Sequence, residues 1–137
     1  MTQKQKDILL KDLCSRLPHG VKVQCLSHQN PLKILSINPN GVTWVTGDKG
    51  YPFEVDWSDC KPYLFPLSSM TKKQKEEYED ALVYHDYVKG GWTIAKTFDD
   101  EYIIPYWFVD FCNKNHFDYR GLIPMGLAND ATGLNIY

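Results

Sequence analysis

Between Val21 and Phe65 the apolar residues recur at every second position in short runs, and each run is broken by residues that turn a chain. A period of two marks a strand with one buried face. Val21, Val23 and Cys25 alternate with Lys22 and Gln24, and the polar loop Ser27-His28-Gln29-Asn30-Pro31 leads into Leu32–Ile37. Asn38-Pro39-Asn40-Gly41 turns the chain, because proline suits the second turn position and Asn-Gly tolerates positive φ. Val42–Thr46 is β-branched and aromatic; Gly47-Asp48-Lys49-Gly50 turns again, and Phe53, Val55 and Trp57 alternate with Glu54 and Asp56. Tyr63-Leu64-Phe65, entered through Ser58-Asp59-Cys60-Lys61-Pro62, reads as a last short strand. Five short strands joined mostly by tight turns predict a small SH3-like antiparallel β-barrel or strongly bent meander over residues 20–67. Closure or tight curling protects edges that a flat meander would expose.

The flanks read as helices. Thr2 and Gln5 form a capping box, and Leu9, Leu10, Leu13, Cys14 and Leu17 follow, which predicts a helix over residues 3–16 within an N-terminal segment 1–18. Its charged face would carry Lys4, Lys11 and Asp12, and Pro18 and Gly20 end it. Beyond Pro66 a second capping box, Thr71 with Gln74, opens a helix through about Tyr87. Tyr78, Ala81, Leu82 and His85 share one stripe of it, Glu76, Glu77, Glu79 and Asp80 crowd its early turns, and Gly90-Gly91 stops it. Trp92–Phe98 fits a strand and Asp99-Asp100-Glu101 a polar break. Pro105 suits the first turn of a third helix to about Asn115, with Phe108, Phe111 and Cys112 facing inward. Arg120–Ala128 reads as a helical turn broken by glycine and proline, and residues from Asn129 as loose or loosely docked. The expected fold is thus α+β in a single domain, 1–137: an N-terminal helix, the small barrel, and a mainly helical half, 68–137, packed on it.

Length and charge narrow the function classes. At 137 residues, 43% hydrophobic and 23% charged, the chain is sized for one domain with a buried core. No apolar run approaches the ~20 residues that span a bilayer, so no membrane role is expected. The net charge is −2, divided as +2 over residues 1–67 and −4 over residues 68–137. Of fifteen basic residues only Arg16 and Arg120 are arginine, whose planar fork suits phosphates and guanines better than lysine's point charge, so nucleic-acid binding ranks second. The start MTQKQKDILLKDL holds no apolar signal region, which makes the cytoplasm the expected compartment and free thiols the expected state of Cys14, Cys25, Cys60 and Cys112.

Candidate chemistry is sparse. Cys25-x-x-His28 and Cys112-x-x-x-His116 together supply the ligand types of a structural zinc site, but the spacing between the pairs fits no strong zinc motif. Core thiols and histidines at element ends explain them, so no metal is expected. Cys60, in a turn, is the most plausible exposed nucleophile, with His85 or His116 as base, yet no catalytic signature surrounds it. Gly47-x-x-Gly50 is a hairpin turn and Gly90-Gly91 lacks a following Lys-Ser/Thr pair, so neither cradles phosphate; Asp86 and Asp99-Asp100 read as solvated charge. No catalytic residue and no cofactor are assigned.

Aromatic residues carry more. Trp44, Tyr51, Phe53, Trp57, Tyr63 and Phe65 exceed what a core of this size holds, so they either line a groove for peptides or stacked bases or lie beneath the helical half. Trp44, Tyr51, Trp57 and Tyr63 are the candidate binding residues of that segment. An exposed platform ringed by Lys33, Lys49 and Lys61 would favour nucleic acid, whereas neighbours such as Glu54 and Asp56 would favour a protein partner. His116, Asp118, Tyr119 and Arg120 form a second candidate cluster, either a ligand site or a hydrogen-bonded corner in which Asp118 caps the tail helix and Arg120 pairs with Asp118 or the acidic second helix.

Trp57-Ser58-Asp59-Cys60-Lys61-Pro62-Tyr63-Leu64-Phe65-Pro66-Leu67-Ser68-Ser69-Met70-Thr71, and the His116–Leu127 segment with Asp118-Tyr119-Arg120-Gly121-Leu122-Ile123, resemble segments of small uncharacterised proteins of Bacteroides-type gut bacteria and their phages or mobile elements. The resemblance implies a bacterial cytosol and an accessory role, without a mechanism. The expected function is non-catalytic binding of a protein partner; the alternatives are a nucleic-acid-binding small-barrel module and, third, a thiol-dependent enzyme.

Overall fold

The computed structural model describes residues 1–26, 28–40, 42–48, 50–77 and 106–137. Helix α1 spans Gln3–Arg16, and its capping box is complete: Gln5 N donates to Thr2 Oγ1 at 3.2 Å, and Thr2 N donates to Gln5 Oε1 at 2.9 Å. Leu9 and Leu13 are buried on its inner face, where truncating either to alanine would cost about 2–5 kcal/mol. Asp12 is buried there too, contrary to its expected place on the charged face, whereas Cys14 is exposed. A 3-10 turn, Leu17–His19, ends at Gly20, whose φ of +69° an L side chain would strain.

The strands are β1 (Lys22–Cys25), β2 (Leu32–Ser36), β3 (Thr43–Thr46), β4 (Phe53–Val55), β5 (Cys60–Leu64) and β6 (Asn129–Asp130). They form one six-stranded sheet in the order β4-β3-β2-β1-β5-β6. All neighbours are antiparallel except β5 and β6, which run parallel. Among the described residues β4 pairs only with β3 and β6 only with β5, so the sheet is open rather than a closed barrel. A register shift between Ile34 and Ser36 bends β2 against β3. The stretch before Tyr63, expected as an entry loop, belongs to β5: Cys60, Lys61 and Pro62 stand opposite Cys25, Gln24 and Val23. A 3-10 turn, Trp57–Asp59, feeds β5, and Asp56 caps it by accepting from Ser58 N at 2.9 Å.

Alternation sends Val23, Cys25, Leu32, Ile34, Val45 and Cys60 inward, where α1 covers them with Leu9 and Leu13. A second cluster joins Leu64 to Leu122, Leu127 and Ala128. Helix α2 is described over residues 72–77, opened by the expected Thr71–Gln74 box, and α3 spans Tyr106–Lys114. Tyr78, Ala81, Leu82, His85, the Gly90-Gly91 stop, the strand at Trp92–Phe98, the Asp99–Glu101 break and the Pro105 start lie outside the described residues. Residues 115–137 are turns and β6, so this part of the expected helical half is not helical.

Nor is the end loose. Asn129 Nδ2 donates to Gln24 Oε1, Lys22 Nζ donates to the Ile136 carbonyl, and the Tyr137 hydroxyl donates to the Tyr63 carbonyl at 2.7 Å. Short-range sequence patterns miss such docking because every partner lies more than a hundred or some seventy positions away. No described helix is long and apolar enough to cross a membrane.

Candidate functional site

Exposed apolar side chains stand on and beside β2 and β3. Trp44 is 39% exposed, with Leu35 at 44% and Val42 at 39%. The registers put Ser36 on one side of Trp44 and Glu54 on the other, and Lys33 opposite Thr46. Glu54 and Asp56 are exposed, so carboxylates border the strip toward β4. Ser58 holds the Asp56 carboxyl below its ordinary range by donating its backbone N–H and hydroxyl.

The other aromatics do not join Trp44 in one platform. Tyr51 is 93% exposed beside a cavity of about 800 Å³, in which the His28 ring stacks on Phe53 at 4.4 Å. Trp57 packs against the first core cluster, and its Nε1 lies 3.4 Å from the Pro39 carbonyl it donates to. Tyr63 is buried and accepts from Tyr137 through its carbonyl. Burial removes Tyr63 from a binding surface, and Trp57 serves the core; Lys49 lies outside the described residues.

The His116–Arg120 cluster is a built corner. His116 has a φ of +62°, and its ring stacks on Tyr137 with centroids 3.6 Å apart. Burial, helped by the charges of Arg16 and His19, lowers its pKa to about 4. The two Asp118 oxygens accept from Leu122 N and Ile123 N, each at 2.8 Å, which satisfies the turn that follows. Two guanidinium groups lie over the Tyr119 ring, that of Arg16 at 5.3 Å and that of Arg120 at 4.8 Å from its centroid. Arg120 does not pair with Asp118: its Nε lies 3.3 Å from Asp12 Oδ1, and Nη2 reaches Ser15 Oγ at 3.4 Å.

Sequence patterns missed the centre of that corner, Asp12 and Arg16. Arg16 Nε donates to Asp12 Oδ2 at 2.8 Å, Nη2 donates to the Phe117 carbonyl at 2.7 Å, and Nη1 reaches the Cys112 carbonyl at 3.5 Å. Burial pushes the Asp12 carboxyl up while Arg16 and Arg120 pull it down. The i, i+4 spacing of an aspartate and an arginine was the available signal, but on a surface helix the same spacing marks a solvated pair.

Cys25 and Cys112 are buried as expected, whereas Cys14 and Cys60 are not where the sequence put them. Cys60 is fully buried in β5 rather than exposed in a turn, and its Sγ lies 3.2 Å from Cys25 Sγ. Cys112 is buried, and desolvation raises its thiol to about 12. Cys25, His28, Cys112 and His116 do not gather: among the described residues no three His, Cys, Asp or Glu side chains converge to hold a metal ion.

The sequence matches no protein-family model, and neither a similar curated protein nor a similar solved structure is found.

Proposed function

We propose that the chain is a non-catalytic accessory module that binds an extended segment of a protein partner along β4 and the Trp44 strip. The observation that supports this most is the exposed tryptophan beside Leu35 and Val42, bordered by Glu54 on a strand whose outer edge pairs with no described strand. An added strand would gain main-chain hydrogen bonds from β4, Trp44 and Leu35 would take an apolar anchor, and Glu54 would select a basic neighbour. We read the sheet as a small SH3-like module, since β5 returns after a 3-10 turn to pair with β1. In this reading it works in a bacterial cytosol, as a phage or mobile-element accessory protein.

Nucleic acid is the second reading, favoured by Lys22 and Lys33 in register on neighbouring strands and by Lys61 opposite Gln24. Tagged protein is used to capture partners from bacterial lysate with and without nuclease, beside Trp44→Ala and Glu54→Lys variants checked for an unchanged melting transition. A protein captured despite nuclease, and lost or weakened at least about tenfold by both variants, supports the proposal. Capture that nuclease abolishes moves the function to nucleic acid. Capture indifferent to both substitutions removes the Trp44 strip from it.

A further inference from the structure

We propose that Cys25 and Cys60 form a reversible modification site, a dithiol that hydrogen peroxide converts into a cross-strand disulfide within the folded sheet. The inference stands independently of what the module binds. The two cysteines are direct register partners of the antiparallel pair β1 and β5. Such partners have Cα atoms about 4.5–5.5 Å apart, inside the range of about 4.4–6.8 Å that a disulfide bridges. Their sulfurs, 3.2 Å apart, need close by only about 1 Å to reach bonding distance, which is a side-chain rotation rather than a backbone movement.

Both cysteines are buried, and Cys60 borders a surface cavity of about 300 Å³ that Leu26, Ser58, Lys61, Met125 and Leu127 also line, the side from which peroxide would approach. Either thiol can donate to the other, and the bond favours a thiolate on the accepting sulfur; with Cys60 donating, the bond lowers Cys25. Cys25 then supplies the thiolate. It attacks one peroxide oxygen, the O–O bond breaks, and the departing hydroxide takes up a proton as water, leaving a sulfenic acid on Cys25. The Cys60 sulfur then displaces the sulfenic hydroxyl, which leaves as a second water with the Cys60 proton. The two thiols lose two hydrogens and two electrons, and one peroxide becomes two waters. The product staples β1 to β5 and closes a loop that holds β2, β3 and β4.

The test treats the full chain with hydrogen peroxide in native buffer below its melting temperature, then alkylates remaining thiols in urea. Mass spectrometry is expected to show a monomer lighter by two hydrogens and a cross-linked peptide pair containing Cys25 and Cys60. Its thermal midpoint should rise, and dithiothreitol should reverse both changes. Cys60→Ser should leave Cys25 as a sulfenic acid trapped by dimedone, and no link. Recovery of both residues as alkylated thiols, consumption of exposed Cys14 alone, overoxidation without a link, or a link formed only in urea would each overturn the proposal.

Discussion

Arg16 Nε lies 2.8 Å from Asp12 Oδ2, one turn back on α1, and neither side chain reaches solvent. The remaining guanidinium nitrogens face the carbonyls of Cys112 and Phe117, so one arginine ties α1 to the end of α3 and the turn beyond it. Asp12→Ala leaves Arg16 and Arg120 without their carboxylate and should destabilise the fold by about 3–5 kcal/mol. Urea unfolding should show a lower midpoint at unchanged slope. The double change Asp12→Leu with Arg16→Met should recover much of that loss, because it removes both buried charges together.

His116 gives a pH dependence with a fixed sign. Its pKa falls from 6.5 in the unfolded chain to about 4 in the fold, chiefly through burial. As pH drops below about 6.5 the unfolded chain takes up the proton first, so stability that is fully present above 6.5 drains away toward 4. The raised carboxyl of Asp12 acts in the opposite direction at the acid end. His116→Asn retains a residue that accepts positive φ and keeps Asp12, so wild type minus variant isolates the imidazole. Unfolding free energy measured from pH 7 to pH 4.5 should fall more steeply for wild type than for the variant; parallel curves would remove His116 as the source.

The Tyr137 hydroxyl accepts from Lys22 N at 3.0 Å and donates to the Tyr63 carbonyl at 2.7 Å, and burial raises its pKa to about 12. Tyr137→Phe should cost about 1–3 kcal/mol, since two backbone groups lose a partner while the ring that stacks on His116 remains. Hydrogen exchange should speed up at the Lys22 amide more than at the Val45 amide in β3.

Asp118 and Trp44 should separate stability from binding. Asp118→Ala removes two carboxylate–amide bonds of 2.8 Å and should cost roughly 1.5–3 kcal/mol while leaving partner capture intact at temperatures where the protein stays folded. Loss of capture by folded Asp118→Ala protein would make the corner part of the binding surface.

The sequence carried local structure well. Thr2 with Gln5, the alternation at Val21–Cys25 and the turns around Asn38–Asn40 and Gly47–Gly50 act over a few residues, and α1 and strands β1 to β4 lie where these signals put them. Pairings between distant segments were not legible. Cys60–Pro62 looked like a loop because proline and a charged lysine interrupt it, yet β1 holds it as strand. Asn129–Asp130 has no strand propensity and is a strand only because β5 lies beside it. The aromatic count could not give the fates of the rings: Trp44 and Tyr51 face outward, while Tyr63 is enclosed.

β1 gains its second neighbour only when β5 arrives, and β5 gains its own only from Asn129–Asp130. Two of the five strand pairings, β1 with β5 and β5 with β6, therefore join segments that must search for each other over long stretches of chain, which predicts slower folding than the local hairpins β1 to β4 alone would give. Until the region from Cys112 onward docks, β5 presents a free edge and Arg16 has only Asp12 to answer its charge. A partly folded chain would then be most exposed to a chaperone, or to another copy of itself, along β5.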